Sequence, residues 1–179
     1  MCSVCGAGFS QRVSSHESPY GEPCKGALAR VSLGHEFDTD VVLMRFSHEV
    51  AADGIDSMAL SHSLAYAVLE GAALTIGVPT TDLNVTVTFG GDEPVQPIVL
   101  YDDVPGGAGL VARLADREIL VETLEAAADR VSGKCGCGHD SSCYGCLRSY
   151  RNQHVHRHLN RGPVLVYLKS LLGVVNQSE

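Results

Sequence analysis

The spacing of apolar residues predicts one long helix in the first half of the chain. Over residues 57–76 they recur every four positions, which lines one face of an α-helix. These positions are Leu60, Leu64, Val68 and Ala72. Asp56 or Ser57 is placed to cap the first turn, and Gly77 is placed to end the helix. Gly71 and the many alanines nearby predict close packing against another element.

Four other stretches have the pattern of β-strands. They are residues 28–33, 40–46, 82–89 and 97–101. Residues 82–89 alternate apolar and polar side chains, which is typical of a strand with one buried face. Val41–Met44 instead form an uninterrupted apolar run, which is expected for a strand that is covered on both faces.

Further helices complete the predicted fold. Residues 109–114 and 116–132 indicate either one helix with a break or two helices in tandem, and residues 163–172 predict a final amphipathic helix. Together the elements predict an α+β fold, in which a small mixed β-sheet of about four to five strands packs with helices on one or both sides. At 179 residues the chain is long enough to bury one ordinary core.

A cluster of four cysteines near the C-terminus has the spacing of a zinc site. Cys135, Cys137, Cys143 and Cys146 fall within twelve residues in a C-x-C-x5-C-x2-C pattern. Two thiolate pairs joined by a short loop can surround one tetrahedral ion. Because four protein ligands leave no position for water or substrate, we expect a structural zinc. Two alternatives stay open here: a redox pair formed by Cys143 and Cys146, and disulfide bonds.

A second cysteine cluster opens the chain. Cys2 and Cys5 form a knuckle, and Cys24 follows with His16 between them. These four residues predict a zinc site of three cysteines and one histidine, so we expect two zinc ions per chain. His35 competes with His16 for the fourth position, and the alternative is three unrelated thiols in a mobile segment. Because chain ends usually fray, a ligand at position 2 suggests the end portion of a longer chain or one subunit of a split one.

These clusters and elements predict a division of the chain into three parts. Residues 1–27 form an N-terminal zinc knuckle, and residues 28–133 form an α/β core. Residues 134–179 form a four-cysteine zinc lobe with basic C-terminal helices. We expect the zinc ions to organise the two ends of a domain whose core is apolar.

Charge is unevenly distributed along the chain. The formal net charge is −8, yet residues 133–179 carry six basic and two acidic side chains. Residues 57–132 carry three basic and eleven acidic side chains, which favours docking onto a basic partner. Any nucleic-acid contact is therefore expected in the tail. The residues predicted to contact single-stranded nucleic acid, four cations for phosphates and one ring for a base, are Arg148, Tyr150, Arg151, Arg157 and Arg161.

Two other motifs are candidates for ligand binding. Residues 97–109 run from a strand into a glycine-rich turn, a shape that can bind phosphate, but neither a Walker lysine nor a G-x-G-x-x-G spacing is present. We expect instead a tight corner, with Asp102 and Asp103 on caps or on a contact with another chain. Three alternating histidines can bind metal only if extended, and a solvated basic face is the favoured interpretation; they are His154, His156 and His158.

Several stretches of the sequence form a combination that is typical of one family. They are Leu33-Gly-His-Glu-Phe-Asp-Thr-Asp40, Leu100-Tyr-Asp-Asp-Val-Pro-Gly-Gly-Ala-Gly-Leu110 and the cluster Cys135 to Cys146, followed by Asn152 and Leu159-Asn-Arg161. This combination resembles the MrfA-like zinc-binding domain. That domain forms the C-terminal part of mitomycin-repair-type superfamily 2 helicases and of DrmB, the helicase partner in the DISARM phage-defence system. The Cys2-x-x-Cys5-Gly opening is closer to the DrmB branch.

The resemblance implies that the four C-terminal cysteines are the zinc ligands and that the chain is associated with a helicase in DNA repair or defence. The leading hypothesis is a non-catalytic module that supports DNA binding or translocation by a superfamily 2 helicase, whose ATPase motifs are absent from this sequence. In this hypothesis the partners are the helicase and, in addition, single-stranded DNA. One alternative is a scaffold subunit of a defence complex that binds protein without DNA. Another is a zinc-stabilised nuclease that uses the alternating histidines with Asp102 or Asp103 and a second metal.

The sequence also carries expectations about location. It has neither the pattern of a signal peptide nor a run of about eighteen apolar residues. It contains seven cysteines, an odd number that does not suit a complete set of disulfides. We therefore expect a cytoplasmic protein without a membrane partner.

Overall fold

The structure, a computed structural model, describes residues 1–32, 34–46, 56–88, 93 and 95–175, with side chains described through residue 173. The chain forms two compact units, Met1–Glu36 and Phe37–Glu179. We name them unit 1 and unit 2 and describe each by itself. The division into residues 1–27, 28–133 and 134–179 stays a prediction.

Unit 1 folds around two short antiparallel pairings. Strand β1 (His16–Glu17) pairs with β2 (Pro23–Cys24), and Cys2 forms a β-bridge with Leu28. The predicted strand over residues 28–33 is wrong beyond this bridge, because residues 29–32 are exposed and lie in no strand. Leu33 lies outside the described residues. The apolar pattern of this stretch was not sufficient, since a strand also needs a neighbouring strand to pair with.

Unit 2 is built on a three-stranded antiparallel sheet. Strands β3 (Val41–Met44), β4 (Leu83–Val87) and β5 (Ile98–Asp102) lie in the order β3–β5–β4. The α+β class is confirmed, but among the described residues this sheet is antiparallel rather than mixed, and it is smaller than expected. The antiparallel pairing of β4 with β5 follows from their connection, which is short enough for a hairpin and too short for a parallel crossover.

The two edge strands differ in how they are covered. Strand β4 alternates as predicted, and its buried side chains, Leu83, Val85 and Val87, belong to the hydrophobic core. Strand β3 was expected to be covered on both faces, and this is wrong: Val41 is 59% exposed and Leu43 is 49% exposed. Strand β3 pairs with β5 alone. Its alternate residues, the half-buried Val42 and the buried Met44, pack against the core. An apolar run therefore marks an edge strand here.

Helix α1 (Ser57–Ile76) covers the residues predicted for it. The Asp56 side chain accepts a hydrogen bond from the Met58 N–H at 2.9 Å, and Gly77 ends the helix at φ 79°. By length and hydropathy α1 would be able to cross a membrane, but 72% of its most apolar 18-residue window is buried inside the protein. That is the position of a core helix, and the absence of a membrane partner stays a prediction.

Helix α2 (Arg117–Arg130) packs against α1 at Gly71. A Cβ added to Gly71 would lie 2.4 Å from the Thr123 carbonyl oxygen and 2.8 Å from the Ala127 nitrogen. A side chain at this position would therefore push the two helices apart, and the predicted close packing is confirmed. A 3₁₀ helix over Val111–Ala115 precedes α2, so the stretch forms two helices in tandem.

The glycine-rich turn after β5 is a corner closed by the protein's own carboxylates. Asp102 is fully buried and accepts three backbone hydrogen bonds of 2.8 to 3.0 Å. The donors are the N–H groups of Ala108, Leu110 and Val111. Asp40 accepts a further bond from the Gly109 N–H at 2.9 Å. These carboxylates occupy the amide groups that a bound phosphate would need, which agrees with the favoured interpretation of a tight corner.

The C-terminal part of unit 2 contains a 3₁₀ segment, Tyr150–His158, and helix α3 (Arg161–Val175). The helix starts and ends slightly outside the predicted residues 163–172. Asn152 is buried where the 3₁₀ segment begins; its Nδ2 donates to the Leu147 carbonyl at 2.9 Å and its Oδ1 accepts from the Ser149 N–H at 2.8 Å. These two bonds fix the turn that follows the cysteine cluster.

Candidate metal centres

The C-terminal cysteines converge on one point in unit 2. The Sγ atoms of Cys135, Cys137, Cys143 and Cys146 all lie within 4.8 Å of one another. Separations of 3.4 Å (Cys135–Cys137), 3.8 Å (Cys137–Cys146) and 3.9 Å (Cys143–Cys146) are found between individual pairs. Tetrahedral zinc with Zn–S bonds of about 2.3 Å requires sulfur atoms about 3.8 Å apart. The donor set therefore fits one zinc ion.

The environment of these sulfurs favours a bound cation. The Cys143 N–H donates to the Sγ of Cys146 at 3.2 Å, and the Gly145 N–H donates to the Sγ of Cys143 at 3.3 Å. The backbone hydrogen bond of Cys137 lowers the pKa of the Cys135 thiol to about 7, while burial raises the pKa of the Cys146 thiol to about 12. Because zinc binds the deprotonated sulfur, binding of the ion releases the protons that these thiols carry.

Three arginines hold the loop that carries this cluster. Arg161 donates through Nε and Nη2 to the Cys137 carbonyl oxygen at 3.0 and 2.8 Å, and its Nη1 lies 3.5 Å from the Val131 carbonyl oxygen. Arg130 donates to the Cys146 carbonyl at 3.2 Å. Arg148 donates to the Ser142 hydroxyl at 3.0 Å. Two of the predicted nucleic-acid contacts, Arg148 and Arg161, thus have partners inside the protein.

The N-terminal cluster forms a second site, in unit 1. One ligand atom from each of Cys2, Cys5, His16 and Cys24 lies within 4.8 Å of the others. The Cys2 and Cys24 sulfurs are 3.8 Å apart. The His16 Nε2 atom is buried and has no hydrogen-bond partner among the described residues, as expected of a nitrogen that binds a metal. The structure thus brings His16 to the fourth position, for which His35 competed, and this set of three thiols and one imidazole fits zinc.

Backbone amides and one glycine shape this second site. The N–H groups of Val4 and Cys5 point at the Cys2 sulfur at 3.4 and 3.5 Å. Hydrogen bonds from Cys5 and Val4 lower the pKa of the Cys2 thiol to about 6. A Cβ added to Gly26 would lie 2.5 Å from the same sulfur. Sequence reasoning missed Gly26, although a glycine two positions after a cysteine ligand is a usable signal, because it permits close backbone approach.

The other predicted residues do not form a further metal site. The two cysteine clusters are the groups of metal-ligating side chains found in the described part of the chain. The His156 ring lies within hydrogen-bond distance of the Ser149 carbonyl and of Asn152 Oδ1, at 3.0 and 2.8 Å. Asp102 is engaged in the glycine-rich turn. His156 and Asp102, two of the residues named for the nuclease alternative, are therefore engaged in separate internal contacts.

Three of the predicted nucleic-acid contacts lie at the surface of unit 2. Tyr150 is 84% exposed. Arg157 is exposed and donates to the His158 ring at 2.8 Å. Arg151 forms an ion pair with Asp103 and a hydrogen bond of 3.2 Å to the Thr81 carbonyl. Asp103 was expected on a cap or on a contact with another chain, and the structure instead pairs it with Arg151 within unit 2.

Comparison with known proteins identifies similar domains. Residues 64–147 match the family model of the MrfA Zn-binding domain. The Druantia protein DruE of Escherichia coli (strain UMEA 4076-1) is 29% identical over 190 residues, which cover 90% of this chain and 10% of DruE. A crystal structure of the DUF1998 helicase MrfA bound to DNA and AMPPNP shares the fold, with a TM-score of 0.53 and 17% identity over 84% of this chain and 18% of the helicase.

A second crystal structure, of MrfA bound to DNA, has a TM-score of 0.48 and 21% identity over 68% of this chain and 16% of the helicase. The chain thus spans about a tenth of the curated relative and less than a fifth of the helicase. The resemblance to the MrfA-like zinc-binding domain is confirmed, and the two cysteine clusters fit two zinc sites. The link to DrmB and DISARM stays a prediction.

Proposed function

We propose, given that residues 64–147 match the MrfA Zn-binding domain, that this chain is a zinc-organised module that works with a superfamily 2 helicase and supports its hold on DNA. The helicase supplies ATP hydrolysis, and this chain supplies a rigid, metal-held surface. DNA repair or phage defence is the setting that belongs to this proposal. The crystal structure of the MrfA helicase contains bound DNA. That this chain also acts on DNA is part of the proposal.

The observation that carries the proposal is the pair of closed four-ligand sets. Each cluster supplies four donor atoms within 4.8 Å of one another, three or four of them sulfur. A zinc ion held by four protein ligands has no open position at which to activate water, so its contribution is to the fold. The C-terminal set lies within the matched family domain, directly after α2 of the core. A module held in this way suits a positioning role.

We also place the module in the cytoplasm. All seven cysteines are free thiols in the structure, and both clusters need reduced sulfur to bind zinc. An oxidising compartment would convert closely spaced thiols into disulfides and would compete with the metal. Zinc content measured on protein purified with and without reductant tests this dependence; equal content without reductant would contradict it.

The first experiment replaces the matching segment of a MrfA helicase by this chain and measures DNA-stimulated ATP hydrolysis. We expect activity above that of the helicase from which the segment is deleted. The matched control is the same chimera carrying Cys143→Ser and Cys146→Ser, which should fall to the level of the deletion. A zinc-competent chimera that is no more active than the deletion would overturn the helicase-supporting role.

A second experiment tests the non-catalytic character. The isolated zinc-loaded chain is incubated with single-stranded DNA and Mg²⁺ or Mn²⁺, and separately with ATP. We expect neither cleavage nor hydrolysis. Cleavage that disappears in His156→Ala would favour the nuclease instead. Function in the chimera without any binding of DNA by the chain would favour the scaffold alternative.

A further inference from the structure

We infer that unit 1 contains a binding groove for the phosphodiester backbone of single-stranded nucleic acid, formed by Arg12, Lys25 and Arg30 beside Phe9. The inference deepens the proposed function, on which it rests, by locating the DNA contact in the N-terminal zinc unit rather than in the basic C-terminal tail. Its basis is the distribution of cations that have no partner among the described residues.

The groove is a feature of unit 1 alone. It has a volume of about 1160 Å³, and two stretches of chain, residues 8–16 and 24–31, line most of it. Arg12, Lys25 and Arg30 are the three basic residues of unit 1, and all three line this groove. The acidic residues of the unit lie outside it; they are Glu17, Glu22 and Glu36. Charge is thus segregated onto one surface.

The three cations are exposed and uncommitted. Within the described residues, neither the guanidinium groups of Arg12 and Arg30 nor the Lys25 ammonium group makes a hydrogen bond or an ion pair. In unit 2 most cationic side chains are engaged, as Arg151 is with Asp103 and Arg161 is with the Cys137 carbonyl. Because a phosphate contact requires a donor that is free to reach it, unit 1 offers the better surface.

An aromatic ring and small polar side chains complete the groove. Phe9 packs edge-to-face on His16, with ring centroids 5.5 Å apart, and 41% of its surface is exposed. Serine hydroxyls and a glutamine amide line the same groove and can donate to phosphate oxygens; they are Ser10, Gln11, Ser14 and Ser15. Cations along the backbone path together with an exposed ring are the elements that bind unpaired strands.

The zinc site beside the groove does not cancel its charge. Zinc bound by three thiolates and a neutral imidazole carries one net negative charge, so the three cations leave this side of unit 1 at about +2. His16 belongs to both features, since it is a zinc ligand and supports Phe9. A metal bound to His16 would hold the imidazole on which Phe9 packs, and a base would stack on the Phe9 ring. An acidic protein segment would satisfy the cations but would make no use of the exposed ring.

The test measures binding of a fluorescent oligothymidine to the zinc-loaded full chain by anisotropy, at several salt concentrations. The triple variant Arg12→Gln, Lys25→Gln and Arg30→Gln removes three charges from the groove. Each lost phosphate contact on a single strand reduces the slope of log K against log salt by about 0.7, so we expect a slope lower by about 2 and binding on the order of 100-fold weaker at about 0.1 M salt. Phe9→Ala should weaken binding at unchanged slope.

The matched control removes the same charge from unit 2. Its substitutions are Arg151→Gln, Arg157→Gln and Lys169→Gln, and these should change the affinity little. Equal losses in both triple variants would show that net charge, not the groove, sets the affinity, and would overturn the inference. An affinity unchanged in the groove triple variant would overturn it as well.

A footprint on the unmodified chain avoids any effect of substitution on folding. The chain contains three lysines, Lys25 in the groove and Lys134 and Lys169 in unit 2. Acetylation followed by mass spectrometry should show that the oligonucleotide protects Lys25 alone. Protection of Lys169 instead would place the strand on unit 2, and protection of Lys25 by polyglutamate but not by the oligonucleotide would indicate an acidic protein; either result overturns the inference. These binding experiments contain no helicase. A negative result would therefore overturn the groove but not the helicase-supporting role, which the chimera tests separately.

Discussion

The hydrogen bonds of Arg161 make a sharp prediction about the C-terminal zinc loop. The sequence places this residue among the phosphate contacts, whereas the structure places its guanidinium against the carbonyl oxygens of Cys137 and Val131. Arg161→Ala should therefore loosen the loop and speed the loss of zinc. Arg161→Lys should rescue part of the effect, because an ammonium group can replace one contact but not a fork of two.

The magnitude follows from the geometry of the three contacts. A hydrogen bond from a charged donor contributes about 1.5–3 kcal/mol net. The two bonds to Cys137 at 3.0 and 2.8 Å are short, whereas the contact to Val131 at 3.5 Å is long and adds little. Because Arg161 is half-buried, water replaces part of the loss. We expect a decrease of about 2–3 kcal/mol in the free energy of unfolding, or roughly a 30- to 160-fold change in loop opening.

Zinc transfer to a chromophoric chelator measures this opening directly, and urea unfolding measures the free energy. Arg157→Ala is the matched control, because Arg157 is an exposed arginine of the same region that donates to the neighbouring His158 ring. Its release rate should stay that of the parent chain. If Arg161→Ala releases zinc no faster than Arg157→Ala, the hydrogen bonds contribute nothing to the loop, and Arg161 is available for phosphate after all.

The remaining predictions concern helix packing and metal content. Gly71→Ala should lower the free energy of unfolding by about 1–3 kcal/mol through overpacking, whereas Gly173→Ala, whose Cβ meets open space in α3, should raise it by up to about 1 kcal/mol. Urea unfolding measures both, and equal shifts would contradict the packing argument. Elemental analysis should find two zinc ions per chain, and one in His16→Ala or Gly26→Ala. A strong chelator should lower the melting temperature of the parent chain, since ligands that bind the folded state stabilise it.

Local periodicity predicted the elements whose burial is decided by their own sequence. Helix α1 and strand β4 follow their patterns because each presents an apolar side to the same core. Strand β3 does not, because an apolar run cannot show whether a second layer covers it, and here Val41 and Leu43 face outward. The strand prediction for the residues after Leu28 was wrong for a related reason, since among the described residues no strand lies beside them. Tertiary neighbours, not propensity, decided both cases.

The metal ligands show the same division between local and distant information. The C-terminal set was predictable, because C-x-C and C-x2-C pairs bring sulfurs together within single turns of chain. The choice of His16 over His35 was not, because both are separated from the cysteines by loops. The structure resolves it through the β1–β2 ribbon, whose register places His16 opposite Cys24. A pairing of two residues per strand thus determines the fourth ligand.

Counting charges along the chain could not show which arginines are engaged inside the protein, and the zinc loop explains why. A loop wrapped around a metal leaves carbonyl groups without helix or sheet partners, and these need donors. Arginine carries five donors in a rigid fork, so arginines close to such a loop become part of its structure. Arg130 and Arg161 follow this rule, since they donate to the Cys146 and Cys137 carbonyl oxygens, whereas Arg148 donates to the Ser142 hydroxyl of the same loop. In unit 1 the ribbon and the Cys2–Leu28 bridge pair backbone groups with one another, which leaves the cations of that unit free to bind a partner.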